Sequence, residues 1–231
     1  MLSTPPTTRV KICGLTRHTD LELAIDVGAD AVGFICDVPV ETPREIPSDR
    51  VATLVDSCPP FVTSVLVTMP SSPADAIELV EAITPDVLQV HSGLDSSELG
   101  TVREAIDCQL LVGVDADDVG SARTVDDVAD GFVVDSVDAD GAGGTGTTHD
   151  WERTRGVAAE LESPIVLAGG LTPANVTQAI RTVEPFAVDV SSGVESRGGI
   201  KDETAVRTFV DRAKNALAVE SADSSSNVSN S

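Results

Sequence analysis

The sequence is short of positive charge. Only 15 basic residues stand against 38 acidic ones, and just three of the basic ones are lysines: Lys11, Lys201 and Lys214. The resulting formal charge of −23 repels nucleic acid and anionic lipid, so neither is expected as a partner. Long apolar runs are also missing. No stretch approaches the roughly 18 residues a membrane span requires, and residues 1–6 lack the basic and apolar regions of a signal peptide, so a cytoplasmic location is expected. The four cysteines (Cys13, Cys36, Cys58, Cys108) show no CxxC spacing, and the three histidines (His18, His91, His149) are scattered. That pattern predicts neither a metal site nor a disulfide framework. Aromatics make up 3% of the chain, so the core must be built from Val, Ala, Ile and Leu. The acidity itself reads as adaptation to high salt, where self-repulsion is screened and carboxylates keep the surface hydrated. A melting temperature that rises with salt follows from it.

What is present is a repeat. Short apolar, β-branched runs at 9–13, 31–36, 61–67, 87–91, 109–114, 131–136, 164–168 and 186–191 suit parallel strands buried on both faces. Amphipathic stretches such as 19–28, 73–83 and 173–182 fall between them, some opened by Asp or Ser-Pro and some closed by Gly. Eight strand–helix units in about 210 residues predict a single-domain α/β fold, a closed (βα)₈ TIM barrel over residues 1–218. Residues 219–231 are polar and low in complexity and read as a disordered tail.

In such a barrel, chemistry belongs where strands end and βα loops begin. The unusual residues lie there: Cys13 after strand 1, His91 after strand 4, Asp135-Ser136 at strand 6, Gly169-Gly170 at strand 7, and Asp189 with Ser191-Ser192-Gly193 at strand 8. Three glycine-containing loops on neighbouring strands, with Gly144 and Gly146, Gly169 and Gly170, and Ser191, Ser192 and Gly193, let backbone N–H groups approach an anion and predict phosphate binding. Taken alone, each loop reads equally well as a tight turn. A rim cysteine that loses its proton readily can act as nucleophile or base, and a partly buried Asp135 can act as an acid. An ordinary buried thiol and a structural carboxylate remain open on spacing alone.

Lys11-Ile12-Cys13-Gly14-Leu15-Thr16, Leu88-Gln89-Val90-His91, Asp135-Ser136, Gly143-Gly144-Thr145-Gly146 with Asp150-Trp151, Leu167 to Leu171, and Asp189 to Glu195 with Gly199-Ile200-Lys201-Asp202 follow one another in order. That series resembles the phosphoribosylanthranilate isomerase family of tryptophan biosynthesis, from residue 9 to about 202. The resemblance implies an enzyme that needs no cofactor and carries out an Amadori rearrangement on a phosphorylated small molecule. By the same resemblance, Asp135 is the general acid and Cys13 the general base. Arg44 pairs with the anthranilate carboxylate, and His91 and Asp189 contact substrate. Three features depart from the family: His91-Ser92-Gly93 displaces a glycine, Thr147 and His149 stand where lysine and phenylalanine are common, and 37–41 is unusually acidic.

The histidine-pathway aminoaldose isomerases run the same rearrangement but resemble an internal duplication with aspartate at the strand 1 position. Pentose phosphate epimerase barrels need metal-binding side chains not found here. The indole-forming synthase uses strand lysines, and Lys11, two residues from Cys13, could share its face along a regular strand, but the other matching blocks belong to the isomerase. A non-catalytic phosphate-binding barrel is the alternative of another class. Monomer and homodimer both remain open.

Overall fold

The computed structural model describes residues 7–115, 122–135 and 151–217. The expected Gly144 and Gly146 loop, Ser136, His149 and the 219–231 tail lie outside them. Eight parallel strands close into a barrel in sequence order: β1 (Arg9–Ile12), β2 (Ala31–Ile35), β3 (Thr63–Thr68), β4 (Val87–Val90), β5 (Gln109–Asp115), β6 (Gly131–Asp135), β7 (Ile165–Leu167) and β8 (Ala187–Val190). β1 pairs with β8 through Lys11 opposite Asp189, which seals the barrel. The helices are α1 (His18–Asp26), α2 (Ser48–Val55), α3 (Pro73–Ile83), α4 (Ser96–Ala105), α5 (Trp151–Ala158), α6 (Val176–Val183) and α7 (Glu203–Lys214). After β8 a 3₁₀ turn over Ser192–Val194 leads into a small hairpin of β9 (Glu195–Arg197) and β10 (Ile200–Lys201). No helix among the described residues is long and apolar enough to cross a membrane.

Strand side chains alternate between two cores. Val10, Ile12, Phe34, Leu66, Leu88, Leu110, Phe132, Leu167 and Val188 face outward and join one cluster with the inner faces of the helices. The alternate positions fill the barrel with Val65, Val67 and Val87 on one side and Val133, Val166, Ala168 and Ala187 on the other. Lys11, Gln89 and Asp189, all buried, belong to this second set. The interior therefore turns polar towards the C-terminal ends of the strands.

Two expected boundaries move, for identifiable reasons. The run expected from residue 61 enters the sheet only at Thr63, whose N–H donates to the Asp30 carbonyl. Pro59 and Pro60 have no N–H to offer a ladder, and Phe61 is fully exposed at φ 73°. The helix expected from 173 starts at Val176. Asn175 is spent stapling the preceding turn: its Oδ1 accepts from Thr172 N and its Nδ2 donates to the Gly170 carbonyl. The Ser-Pro and Asp signals do open helices, with Ser72 capping α3, Asp95 closing a capping box on α4 and Asp202 capping α7.

Candidate active site

One cavity of about 270 Å³ opens at the C-terminal mouth. Cys13, Arg44, His91, Asp135, Gly169, Gly170, Asp189, Ser191, Ser192 and Gly193 all line it. The structure thus brings together every predicted site residue that lies within the described part of the chain.

Cys13 follows β1 directly and is 6% exposed, its N–H held by the Val190 carbonyl at 2.9 Å. The chain then turns sharply at Gly14, at φ 70°. A Cβ there would sit 2.8 Å from both Arg44 Cδ and Ser191 Oγ, so glycine meets a conformational and a steric demand at once. Asp135 closes β6, half-buried at the cavity wall. His91, half-buried, follows β4.

Arg44 reaches the mouth from the loop between β2 and α2. Its Nε and Nη2 donate to the two carboxylate oxygens of Glu195 at 2.9 and 2.8 Å, and among the described residues Nη1 has no partner. The same carboxylate accepts from Lys201 Nζ at 2.9 Å, and that ammonium also donates to the Ser191 carbonyl at 3.1 Å. The Lys201 side chain is 0% exposed. Burial and the Arg44 charge push Lys201 below its usual range despite Glu195, whereas Arg44 and Lys201 outweigh burial at Glu195 and hold its carboxyl down. A single carboxylate thus joins the arginine of the β2–α2 loop, the hairpin and the serine loop after β8.

Inside the barrel Lys11 Nζ donates to Asp189 Oδ2 at 2.8 Å, with both side chains buried. Burial opposes the Lys11 charge, but Asp189 and Cys13 outweigh it and hold the ammonium above its ordinary range. Burial pushes the Cys13 thiol up, and Lys11 is the strongest influence holding it back. Among the described residues, three buried side-chain atoms have no hydrogen-bond partner: Gln89 Oε1, Asp189 Oδ1 and Ser191 Oγ. All three residues line the cavity.

Sequence reasoning passed over Lys11, Gln89, Glu195 and Lys201 as site residues, although each lies within a block quoted for the resemblance. The available signal was the scarcity of lysine: two of the chain's three lysines stand at this mouth. Together with Arg44, they bring three positive charges against the three carboxylates of Asp135, Asp189 and Glu195. The mouth is therefore balanced in charge where the whole molecule carries −23, so it repels an anionic ligand less than the rest of the surface does.

A closed parallel barrel with ionisable side chains converging on one C-terminal mouth is the architecture of a (βα)₈ enzyme. The model of the N-(5'-phosphoribosyl)anthranilate isomerase family matches residues 10–212, and the chain belongs to that family. An N-(5'-phosphoribosyl)anthranilate isomerase of Haloarcula marismortui is 55% identical over 212 residues, covering 90% of this chain and 97% of the relative. One of Haloferax volcanii is 52% identical, covering 90% and 94%. Both relatives come from halophilic archaea, in keeping with a high-salt origin for the −23 charge. The crystal structure of phosphoribosyl anthranilate isomerase from Thermotoga maritima superposes with a TM-score of 0.80 at 31% identity, covering 90% of this chain and 99% of that one. A phosphoribosyl anthranilate isomerase solved with reduced 1-(o-carboxyphenylamino)-1-deoxyribulose 5-phosphate gives 0.76 at 29%, covering 90% and 99%.

Proposed function

We propose that the chain converts N-(5'-phosphoribosyl)anthranilate to 1-(2-carboxyphenylamino)-1-deoxyribulose 5-phosphate, without a cofactor, using Asp135 as general acid and Cys13 as general base. The observation that carries this reading is the meeting of the two side chains, from β1 and β6, on one cavity. Asp135 gives a proton to the furanose ring oxygen, the C1′–O bond breaks, and the anilino nitrogen lone pair forms the Schiff base. The Cys13 thiolate then takes the C2′ proton, and the C–H electron pair flows towards the iminium nitrogen. The enolamine so formed tautomerises to the ketone.

The remaining residues orient the substrate. Arg44, fixed by Glu195, turns its free Nη1 edge to the anthranilate carboxylate, a pairing that suits guanidinium. His91 and Asp189 contact the sugar, with Asp189 Oδ1 unclaimed by the protein. Gly169, Gly170, Ser191, Ser192 and Gly193 offer backbone N–H groups and hydroxyls to the phosphate, together with Gly144 and Gly146 of the undescribed loop. Binding would satisfy the Ser191 hydroxyl, which the protein leaves bare.

A coupled assay with freshly made substrate in concentrated salt tests the reading. Cys13→Ser and Asp135→Asn should each lose about 10²–10⁴ in rate. Parental activity in either variant overturns that residue's role.

A further inference from the structure

We propose that Lys11 is a positioning residue for the reaction: its ammonium, shared between Asp189 and Cys13 inside the barrel, is the counter-charge that offsets burial when Cys13 ionises beneath the substrate. The inference rests on Cys13 being the base and adds what makes that possible.

The geometry is set by β1 and its neighbours. Lys11 and Cys13 lie two residues apart, so both side chains enter the barrel. Across from them, on β2, Gly33 leaves the space they share. A Cβ added there would be 2.9 Å from Cys13 Sγ and 3.2 Å from Lys11 Nζ. Sulfur and nitrogen are therefore within about 6 Å of each other, the range over which opposite charges favour each other's ionised form. On the far side, Asp189 of β8 fixes the ammonium at 2.8 Å. A thiolate unpaired in this interior would be heavily penalised, since burial acts against any uncompensated charge. The other ionisable groups facing Cys13 are Asp189, which disfavours the thiolate, and Lys201 from β10, which favours it more weakly than Lys11 does. His91, Arg44 and Asp135 face it across the cavity.

Shared charge also suits the catalytic cycle. When Cys13 takes the C2′ proton and becomes neutral, Lys11 and Asp189 remain as a closed ion pair, and no buried charge is stranded. When the thiol later gives the proton up, the same ammonium receives the new negative charge. A compact ammonium on a thin stem can serve both neighbours; a planar guanidinium is bulkier and binds in a fixed fork. The composition agrees: a chain that keeps only three lysines keeps one here.

The test is a titration of the full-length protein labelled with ¹³Cβ-cysteine, the Cys13 resonance being assigned by its loss in Cys13→Ser. In Lys11→Met the Cys13 titration should move up by about one unit or more, equivalent to about tenfold less thiolate at a fixed pH below the midpoint. The rising limb of the kcat/KM–pH profile should move with it. Should the single variant fail to fold with Asp189 left unpaired, Lys11→Met combined with Asp189→Asn removes the pair together and should still raise the titration, by less. A Cys13 titration indistinguishable from the parent's in the folded variants overturns the proposal, as does a loss confined to KM. Parental turnover by Cys13→Ser would sink the thiolate-base reading alone, because the titration does not depend on turnover.

Discussion

The two ends of the barrel use polar side chains in opposite ways. At the N-terminal ends of the strands, Asp30, Asp86 and Asp130 each precede an even-numbered strand and reach across to the strand before it. Each accepts a backbone N–H, from Val10, Ser64 and Leu110 respectively, at 2.7–2.8 Å. Asp86 also accepts from the Ser64 hydroxyl. At the C-terminal ends, Gln89 Oε1, Asp189 Oδ1 and Ser191 Oγ are buried with no partner among the described residues. An unsatisfied buried polar atom costs about 1–3 kcal/mol. The lower end is thus organised for stability, whereas the mouth gives some up so that its groups stay available to a ligand. Gln89 shares this bare state at the mouth, though no rule of residue type or spacing singled it out.

The largest effects are expected at the mouth. Cys13→Ser and Asp135→Asn should lose about 10²–10⁴ in rate while thermal melting stays near the parent's. A matching collapse in stability would mean that the two ends are not separable.

Glu195→Gln should affect both properties. It leaves Lys201 buried without its partner, a change worth about 3–5 kcal/mol, and it releases Arg44, raising KM more than it lowers kcat. Because the folded state holds the Glu195 carboxyl below its usual value of 4.5, its stabilising contribution is complete above that pH and drains away as the pH falls through the folded-state value. Melting curves of Glu195→Gln should therefore show a shallower decline below about pH 4.5 than the parent. An identical acid limb would remove Glu195 as a source of acid sensitivity.

At the other end, Asp86→Ala should cost about 1–3 kcal/mol, read from denaturant midpoints, with kcat per folded molecule unchanged. Lys214→Ala should do least. Its partner Asp30 lies 3.1 Å away, but the two side chains are 33% and 38% exposed, and such pairs contribute about 0–1 kcal/mol. A larger loss there would show that even the exposed ion pairs of the lower end carry structural weight.

The fold was legible because parallel strands and helices write different periods into the chain. β4, β5 and β6 appear within a residue of where the apolar runs place them. Phe61 escaped that reading because the two prolines before it outrank its own preference for strands. At the site, Cys13, Asp135, His91 and Asp189 could be placed because a strand end fixes where a side chain points. Arg44 could be placed at the mouth, but its engagement with Glu195 is a contact between residues 151 positions apart. The Lys11–Asp189 pair spans 178 positions. Such pairs exist only once the barrel closes. An orphaned atom such as Gln89 Oε1 leaves no trace in sequence at all, since what marks it is a missing neighbour.

The burial of two of the three lysines has a practical side. Apart from the α-amino group, Lys214 is the one primary amine with substantial solvent access among the lysines, and it sits at the end of α7, beside Asp30 at the N-terminal end of the barrel. An amine-directed dye or an activated resin that couples through a lysine would therefore attach at the pole opposite the cavity. A preparation coupled through that residue would be oriented by its own composition, mouth outward and open to substrate.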